Sequence, residues 1–303
     1  MTDAASTQKT NGGGTVGSAR QPVPNPGFLA SSLRVLEFTL GEMLWSRRTV
    51  FMGLVVGGPV VVALGLRALV SFDFVNVGGQ VDGHTVDVAG PTIFGLIVWA
   101  MFLRFTVPVL GVFYGTSLMA DEIEDKTITY LFTRPVSRGA VLFGKYLGYL
   151  ICTSLVVLPS VVLVYFIVVP ILGGSIGEQF PSLVIDLGLL GLGLAVYGSL
   201  FALVGAWFKH PLLTGLVFVF GWEPVATVVP GYMKNFTVAY YLQGLVPHAM
   251  PQGETMSVIQ SVLRTFPGET SIWFNLGSLT IIWVAALVAA TWAVEHKEYV
   301  LEQ

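Results

Sequence analysis

The chain has 303 residues, of which 54% are hydrophobic and only 11% charged, with a mean hydropathy of +0.76. Soluble domains carry about 25% charged residues, so too little charge is present to wet a globular surface, and an ordinary soluble domain is excluded. The net charge of −3 offers no positive excess for nucleic acid, while the lone Cys152 and four scattered histidines make neither an intrachain disulfide nor a metal-ligand cluster.

Residues 1–27 are rich in Gly, Ser, Thr, Asn and Pro and nearly free of apolar side chains, so they are expected to form a disordered cytosolic tail. They lack the basic start, apolar middle and small-residue cleavage site of a secretory leader. Residues 28–303 then carry the membrane domain. From Ser31 to Ser46, Leu33, Leu36, Leu40, Met43 and Leu44 recur at helical spacing, with Arg34, Glu37, Glu42 and Arg47 on other faces. That pattern predicts an amphipathic helix at the membrane interface. It fits a simple anchor and a partner-docking helix equally well.

Six stretches approach the roughly 20 residues needed to cross hydrocarbon. They cover about residues 50–67, 92–120, 146–169, 187–208, 211–229 and 271–294. Arg67 is placed to snorkel from the far end of the first, and Arg104 interrupts the second. The third and fourth are read as free of charge, while Glu223 and Pro224 weaken the fifth. Lys9, Arg20, Arg34, Arg47, Arg48, Lys126, Arg134, Arg138, Lys145, Lys209 and Lys297 fall on the side of the termini, against only Lys234 and Arg264 opposite. The positive-inside rule therefore places both termini in the cytosol. Polar residues around Asp73, Asp82, His84 and Asp87 join the first two spans outside, and Gly173 to Pro181 joins the third and fourth. The longest external segment, residues 230–270, contains the half-apolar run Thr237 to Val246, expected to dip back as a short helix. The fold expected is an all-α polytopic membrane protein with six transmembrane helices.

The densest charge lies between spans two and three. Asp121, Glu122, Glu124, Asp125 and Lys126 begin where the second span ends, and Thr127 to Phe132 is short and amphipathic. Pro135 then enforces a turn within Thr133 to Arg138, and Arg138 to Lys145 restarts a helix leading into span three. On its own this reads as a solvated hairpin that fixes topology.

The whole stretch from Ala120 to Lys145 resembles the first cytosolic loop of ABC-2 type permeases, with its acidic cluster, Thr-rich amphipathic turn, Pro-Val-Ser-Arg turn and Gly-Lys entering the next helix. Six spans, an amphipathic helix before the first and a long last external segment extend the resemblance over nearly the whole chain. The resemblance implies a non-catalytic transmembrane permease subunit of an ATP-driven ABC transporter in the cell membrane, exporting its substrate. The loop would be a coupling hairpin, with Glu122, Glu124, Thr127, Arg134, Pro135 and Arg138 contacting a separate ATPase subunit. It further implies two copies of that ATPase, a second permease copy or paralogue, and ATP and Mg²⁺ held by the partner, with no cofactor in this chain. A permease of a metal-centre maturation system is the alternative within the family; an ion-gradient-driven carrier and a non-transporting anchor are the alternatives outside it.

Gly139 to Tyr146 nearly spells the phosphate-binding pattern G-x4-G-K-[ST]. Tyr146 stands where the Mg²⁺-holding hydroxyl belongs and no strand precedes it, so nucleotide binding there is rejected. Arg104 and Glu223 each lie about 18 Å into their spans at 1.5 Å per residue, near mid-membrane. Two arrangements reduce the cost of such charges: they approach one another, or both face a polar cavity. Alternatively, Glu223-Pro224 ends a short fifth span at the outer interface. The resemblance adds that spans two and five line the dimer interface and the route of translocation, which makes Arg104 and Glu223 candidates for the path. Trp99, Phe102, Phe105 and Phe113 are candidate contacts for an apolar substrate, or ordinary packing residues.

Overall fold

The computed structural model describes residues 28–44, 47–72, 78–81, 84–87, 90–124, 138–171, 174–229, 232–246 and 271–296. Helix α1 (Phe28–Leu44) precedes α2 (Arg47–Ser71). Helix α3 (Gly90–Asp121) ends in the α-helical stretch Ser117–Glu124. Then come α4 (Arg138–Val168), α5 (Ile176–Trp207), α6 (Pro211–Thr227), the short α7 (Val238–Gln243) and α8 (Ile272–His296). By length and composition, α2, α3, α4, α5 and α8 are able to cross a membrane, whereas α6 is apolar but shorter. The fifth span expected from sequence is thus a helix, though not one of full length. Between α2 and α3, strands β1 (Gly78–Val81) and β2 (His84–Asp87) pair antiparallel with Val81 opposite His84. The intervening sequence, Asp82-Gly83, is a dipeptide favoured in two-residue hairpin loops. This two-stranded pair is a small addition to a helical fold.

One boundary departs from expectation. The fourth span begins at Ile176 rather than Leu187, so α5 carries Glu178 in its first turn and Asp186 fully buried in its N-terminal half. Searching for charge-free windows finds the part of a helix that tolerates lipid. A helix wrapped by protein extends further, because a carboxylate turned toward other helices is shielded from hydrocarbon.

The helices divide into inner and outer members. In the most apolar window of each, 67% of α3 and 61% of α5 is buried within the chain, against 28% of α2 and 17% of α8. Helix α5 is the hub, packing against α3, α4, α6 and α8. Its seam with α4 is fixed by tyrosines whose hydroxyls need partners once buried. Tyr146 donates to the Ala195 carbonyl at 2.9 Å, Tyr149 to the Leu194 carbonyl at 3.1 Å, and Trp283 Nε1 from α8 donates to the Tyr146 oxygen at 2.7 Å. Arg67 turns to protein instead of snorkelling freely, giving its Nη1 proton to the Ile167 carbonyl at 3.2 Å. That carbonyl belongs to the last turn of α4, where the helix dipole favours a cation.

Candidate functional site: the inner hairpin and the mid-membrane charges

The α1 helix docks on the beginning of α4. The face it buries takes in part of the leucine stripe together with small polar residues. Ser31, Ser32 and Thr39 are buried, Leu36, Leu40 and Met43 are half-buried, and Leu29, Leu33 and Phe38 remain exposed. Ser32 Oγ donates to the Ala140 carbonyl at 3.1 Å. The seam is this close because α4 presents glycines: a Cβ on Gly144 would lie 2.8 Å from Val35 Cβ, and one on Gly148 2.9 Å from Thr39 Cγ2. Glycines spaced by four on α4 and small hydroxyl residues on α1 were the available signal, and hydrophobic periodicity concealed it.

The same end of α4 receives the hairpin. Arg138 is its first residue and half-buried, and the stretch Ser117–Glu124, which carries Glu122 and Glu124, packs against α4. Helix α4, which begins at Arg138, is thus the common partner of α1 and of the stretch Ser117–Glu124. Thr127, Arg134 and Pro135 lie outside the described residues.

Arg104 and Glu223 are both positioned by π-helical backbone. Arg104 lies within the π-helical stretch Val98–Thr106 of α3, and Glu223 directly follows the π-helical stretch Val217–Trp222 of α6. Such widened turns recur at functional sites because the extra residue displaces side chains from regular α-helical register. Helix α6 continues past Glu223, so the acid sits inside it rather than at its outer end. Glu223 is 5% exposed. Its carboxylate accepts the Tyr197 hydroxyl at 2.8 Å and 2.7 Å from its two oxygens, and its Oε1 accepts the Ala239 backbone N–H at 3.4 Å. Ala239 is in the first turn of α7, so the acid also satisfies the free N–H end of that helix. One side chain thereby ties together α5, α6 and α7. Sequence reading missed Tyr197; a tyrosine in an apolar helix needs a hydroxyl partner, and the lone acid of a neighbouring span was the candidate.

Arg104 interacts through space with Glu223 and Tyr197. Its guanidinium carbon lies 5.8 Å from the centroid of the Trp99 ring, within cation–π range. The aromatics of α3 separate by role. Phe102 and Trp99 are in the core, Phe105 reaches the surface 6.4 Å from the Phe220 ring, and Phe113 stacks at a tilt on Phe51 with centroids 4.4 Å apart.

Phe51 and Phe113 also line a cavity of about 610 Å³ at the N-terminal ends of α2 and α6 and the C-terminal end of α3, together with Tyr114, Asp121, His210 and Leu213. Its walls are mainly apolar with a few polar groups, the composition of small-molecule sites. The stretch from Phe113 to Arg104 on α3, and from Leu213 to Glu223 on α6, is in each case about 14–15 Å at helical rise. Cavity and charges thus lie along one pair of helices at matching heights. Among the described residues no group of three or more His, Cys, Asp or Glu side chains is placed to hold a metal ion.

The family whose members are described as ABC-2 family transporter protein matches the chain over residues 5–299. No curated protein matches it.

Proposed function

Because the chain belongs to the ABC-2 transporter family, and is on that ground a multi-pass transmembrane subunit of an ABC transporter that associates with an ABC ATPase, we propose that it is an exporting permease of the cell membrane. It works as a dimer, with a second copy or a paralogue, on two ATPase subunits. Both termini and the 121–138 hairpin face the cytosol, and α6 completes six spans by entering the membrane without the length of the others. The family match over nearly the whole chain carries the reading; the packing of the hairpin stems against α4 supports its mechanical part.

The mechanism follows from geometry. ATP and Mg²⁺ are held by the ATPase, and this chain receives motion. Glu122, Glu124, Thr127, Arg134, Pro135 and Arg138 form the surface that a closing ATPase pushes. The push enters α4, a rod of 31 residues whose length at helical rise is about 46 Å, and α3, whose two π-helical stretches interrupt regular packing. A stiff helix beside an interrupted one turns a push at the inner end into relative tilt, a small rigid-body shift amplified across the membrane. The pair α3 and α6, with the inner cavity at one end and Arg104 and Glu223 at mid-depth, is the part that opens as a path.

The test is ATPase stimulation in the complete complex reconstituted in lipid. Glu122→Ala and Arg138→Ala should each lower the stimulation of ATP hydrolysis by the permease while leaving the ATPase's own basal rate intact. Wild-type coupling in both variants removes this hairpin from the contact. Vanadate-sensitive outward transport in inverted vesicles tests direction, and movement that persists without ATP supports the gradient-driven carrier instead.

A further inference from the structure

Arg104 and Glu223 share a depth and a field, but they differ in what satisfies them. Both oxygens of Glu223 accept the Tyr197 hydroxyl, and Oε1 also takes the Ala239 N–H. Arg104 has no comparable set. It has Trp99 beneath it and the charge of Glu223 at a distance, yet among the described residues no oxygen accepts a hydrogen bond from its guanidinium. A guanidinium offers five N–H donors in a fork that matches the two oxygens of a carboxylate or phosphate. Cations placed within membrane-spanning segments face protein or a polar route and mark the passage of ions and substrates.

The surroundings define the rest of the ligand. Arg104 is half-buried, so its side chain is not sealed inside the chain. Beside it, Phe105 is 46% exposed and Phe220 is 54% exposed, their rings 6.4 Å apart. An exposed aromatic pair at the same level as a cationic fork that has no hydrogen-bond acceptor among the described residues suits a molecule with an apolar body and an anionic group. The inner cavity, lower on the same two helices, gives such a molecule an approach from the cytosolic side. We propose that Arg104 recognises the anionic group, carboxylate or phosphate, of an amphiphilic substrate whose apolar body lies against Phe105 and Phe220. Glu223 is not the ligand's counterpart; it holds the scaffold of α5, α6 and α7 and keeps the Arg104 charge partly balanced. The proposal rests on the transporter reading for its purpose, while its test reads binding alone.

Photolabelling of the full permease–ATPase complex in phosphatidylcholine nanodiscs tests it. Two anionic probes are used, a diazirine-tagged phosphatidylglycerol as the membrane-resident source and a diazirine-bearing benzoate as the soluble one. Each is compared with its neutral counterpart, tagged diacylglycerol or the corresponding benzyl alcohol. The expected result is about tenfold more labelling of peptides covering Val98–Thr106 and Val217–Trp222 by an anionic probe than by its neutral partner, the ratio that one charge-assisted hydrogen bond supports. The arm that responds identifies the source. Equal labelling by charged and neutral probes in both arms overturns the proposal on the wild-type protein, without relying on any variant. Arg104→Gln should bring anionic labelling down to the neutral level and Arg104→Lys should retain most of it; unchanged labelling in Arg104→Gln overturns the assignment. Coupled ATP hydrolysis is measured in the same nanodiscs. Its absence in the wild type sinks the transporter reading, whereas charge-blind labelling with intact coupling sinks only the anion site.

Discussion

The α1–α4 seam and the α3–α6 pair are both contacts of helix on helix, and they are built by opposite rules. Along α1 and α4, glycines and small hydroxyl residues bring the backbones close, and Ser32 closes the join with a hydrogen bond to Ala140. Along α3 and α6, three π-helical stretches break regular register, two opposite charges sit at mid-depth, and a cavity opens at the inner end. In lipid the hydrophobic effect does not press helices together, so close packing and polar ties decide which contacts are rigid. The first pair is therefore suited to transmit force and the second to yield.

The largest effect is expected where the rigid seam is broken. Gly148→Leu places a branched side chain where even a Cβ lies 2.9 Å from Thr39. Overpacking of this kind costs about 1–3 kcal/mol, and the strain is relieved most simply by lifting α1 away. The expected outcome is a lowered Tm together with at least a severalfold loss of ATPase stimulation. Gly53→Leu, on α2 with open space around it, should do neither. If both variants couple alike, the seam is not part of the transmission.

On the yielding side the critical tie is Tyr197 to Glu223. Tyr197→Phe leaves a buried carboxylate with the Ala239 N–H and the field of Arg104, and a hydrogen bond to a charged group is worth about 1.5–3 kcal/mol. Unfolding of the purified chain in micelles should show most of that loss, and Glu223→Gln, whose amide oxygen still accepts the hydroxyl, should lose less. Exchange of the two charges sharpens the point. Arg104→Glu with Glu223→Arg preserves the pair of charges but presents a guanidinium to Tyr197 and to the Ala239 N–H, the very groups that donate to the acid. The double variant should be no more stable than Glu223→Arg alone. Rescue by the exchange would show that the two side chains are held chiefly by each other.

How much of this was legible beforehand follows from what each signal measures. Hydropathy finds apolar windows, so α2, α3 and α8 were placed within a few residues, and the end of α4 likewise, while its first eight residues, Arg138 to Lys145, were expected as a helix leading into the span. It misplaced the start of α5, because Asp186 is buried against protein and not exposed to lipid. Periodicity found α1 with its half-buried Leu36, Leu40 and Met43 but not Ser32, Thr39, Gly144 and Gly148, which carry no hydrophobic weight while forming the contact. Arg104 and Glu223 stood out as charges in apolar runs, and their shared neighbourhood was among the arrangements weighed. Tyr197, the acid's main partner, was invisible, because a tyrosine counts as apolar until its hydroxyl is asked to find an acceptor. The residues lining the inner cavity come from three helices, and no pattern along one dimension brings Phe51, Phe113 and His210 together.

The smallest expected effect separates the two directions of one hydrogen-bonded chain, Trp283 to Tyr146 to Ala195. Interhelical hydrogen bonds in membrane proteins average about 0.6 kcal/mol, well below their weight in an unsatisfied apolar setting, because the unfolded helices find other partners in the membrane. Trp283→Phe removes one donor and leaves Tyr146 still bonded to α5, so it should cost about that average. Tyr146→Phe removes the link on both sides, orphaning the indole N–H; the Ala195 carbonyl keeps its place in the α5 ladder and loses only a second donor. It should therefore cost more than Trp283→Phe but less than Tyr197→Phe, where a charge is left behind. Because the chain ties α4, α5 and α8 to one another and touches neither α3 nor α6, neither variant should change ATPase stimulation at temperatures below its Tm. A coupling defect in Trp283→Phe at unchanged stability would place α8 within the moving part of the molecule and redraw the boundary between the two regions.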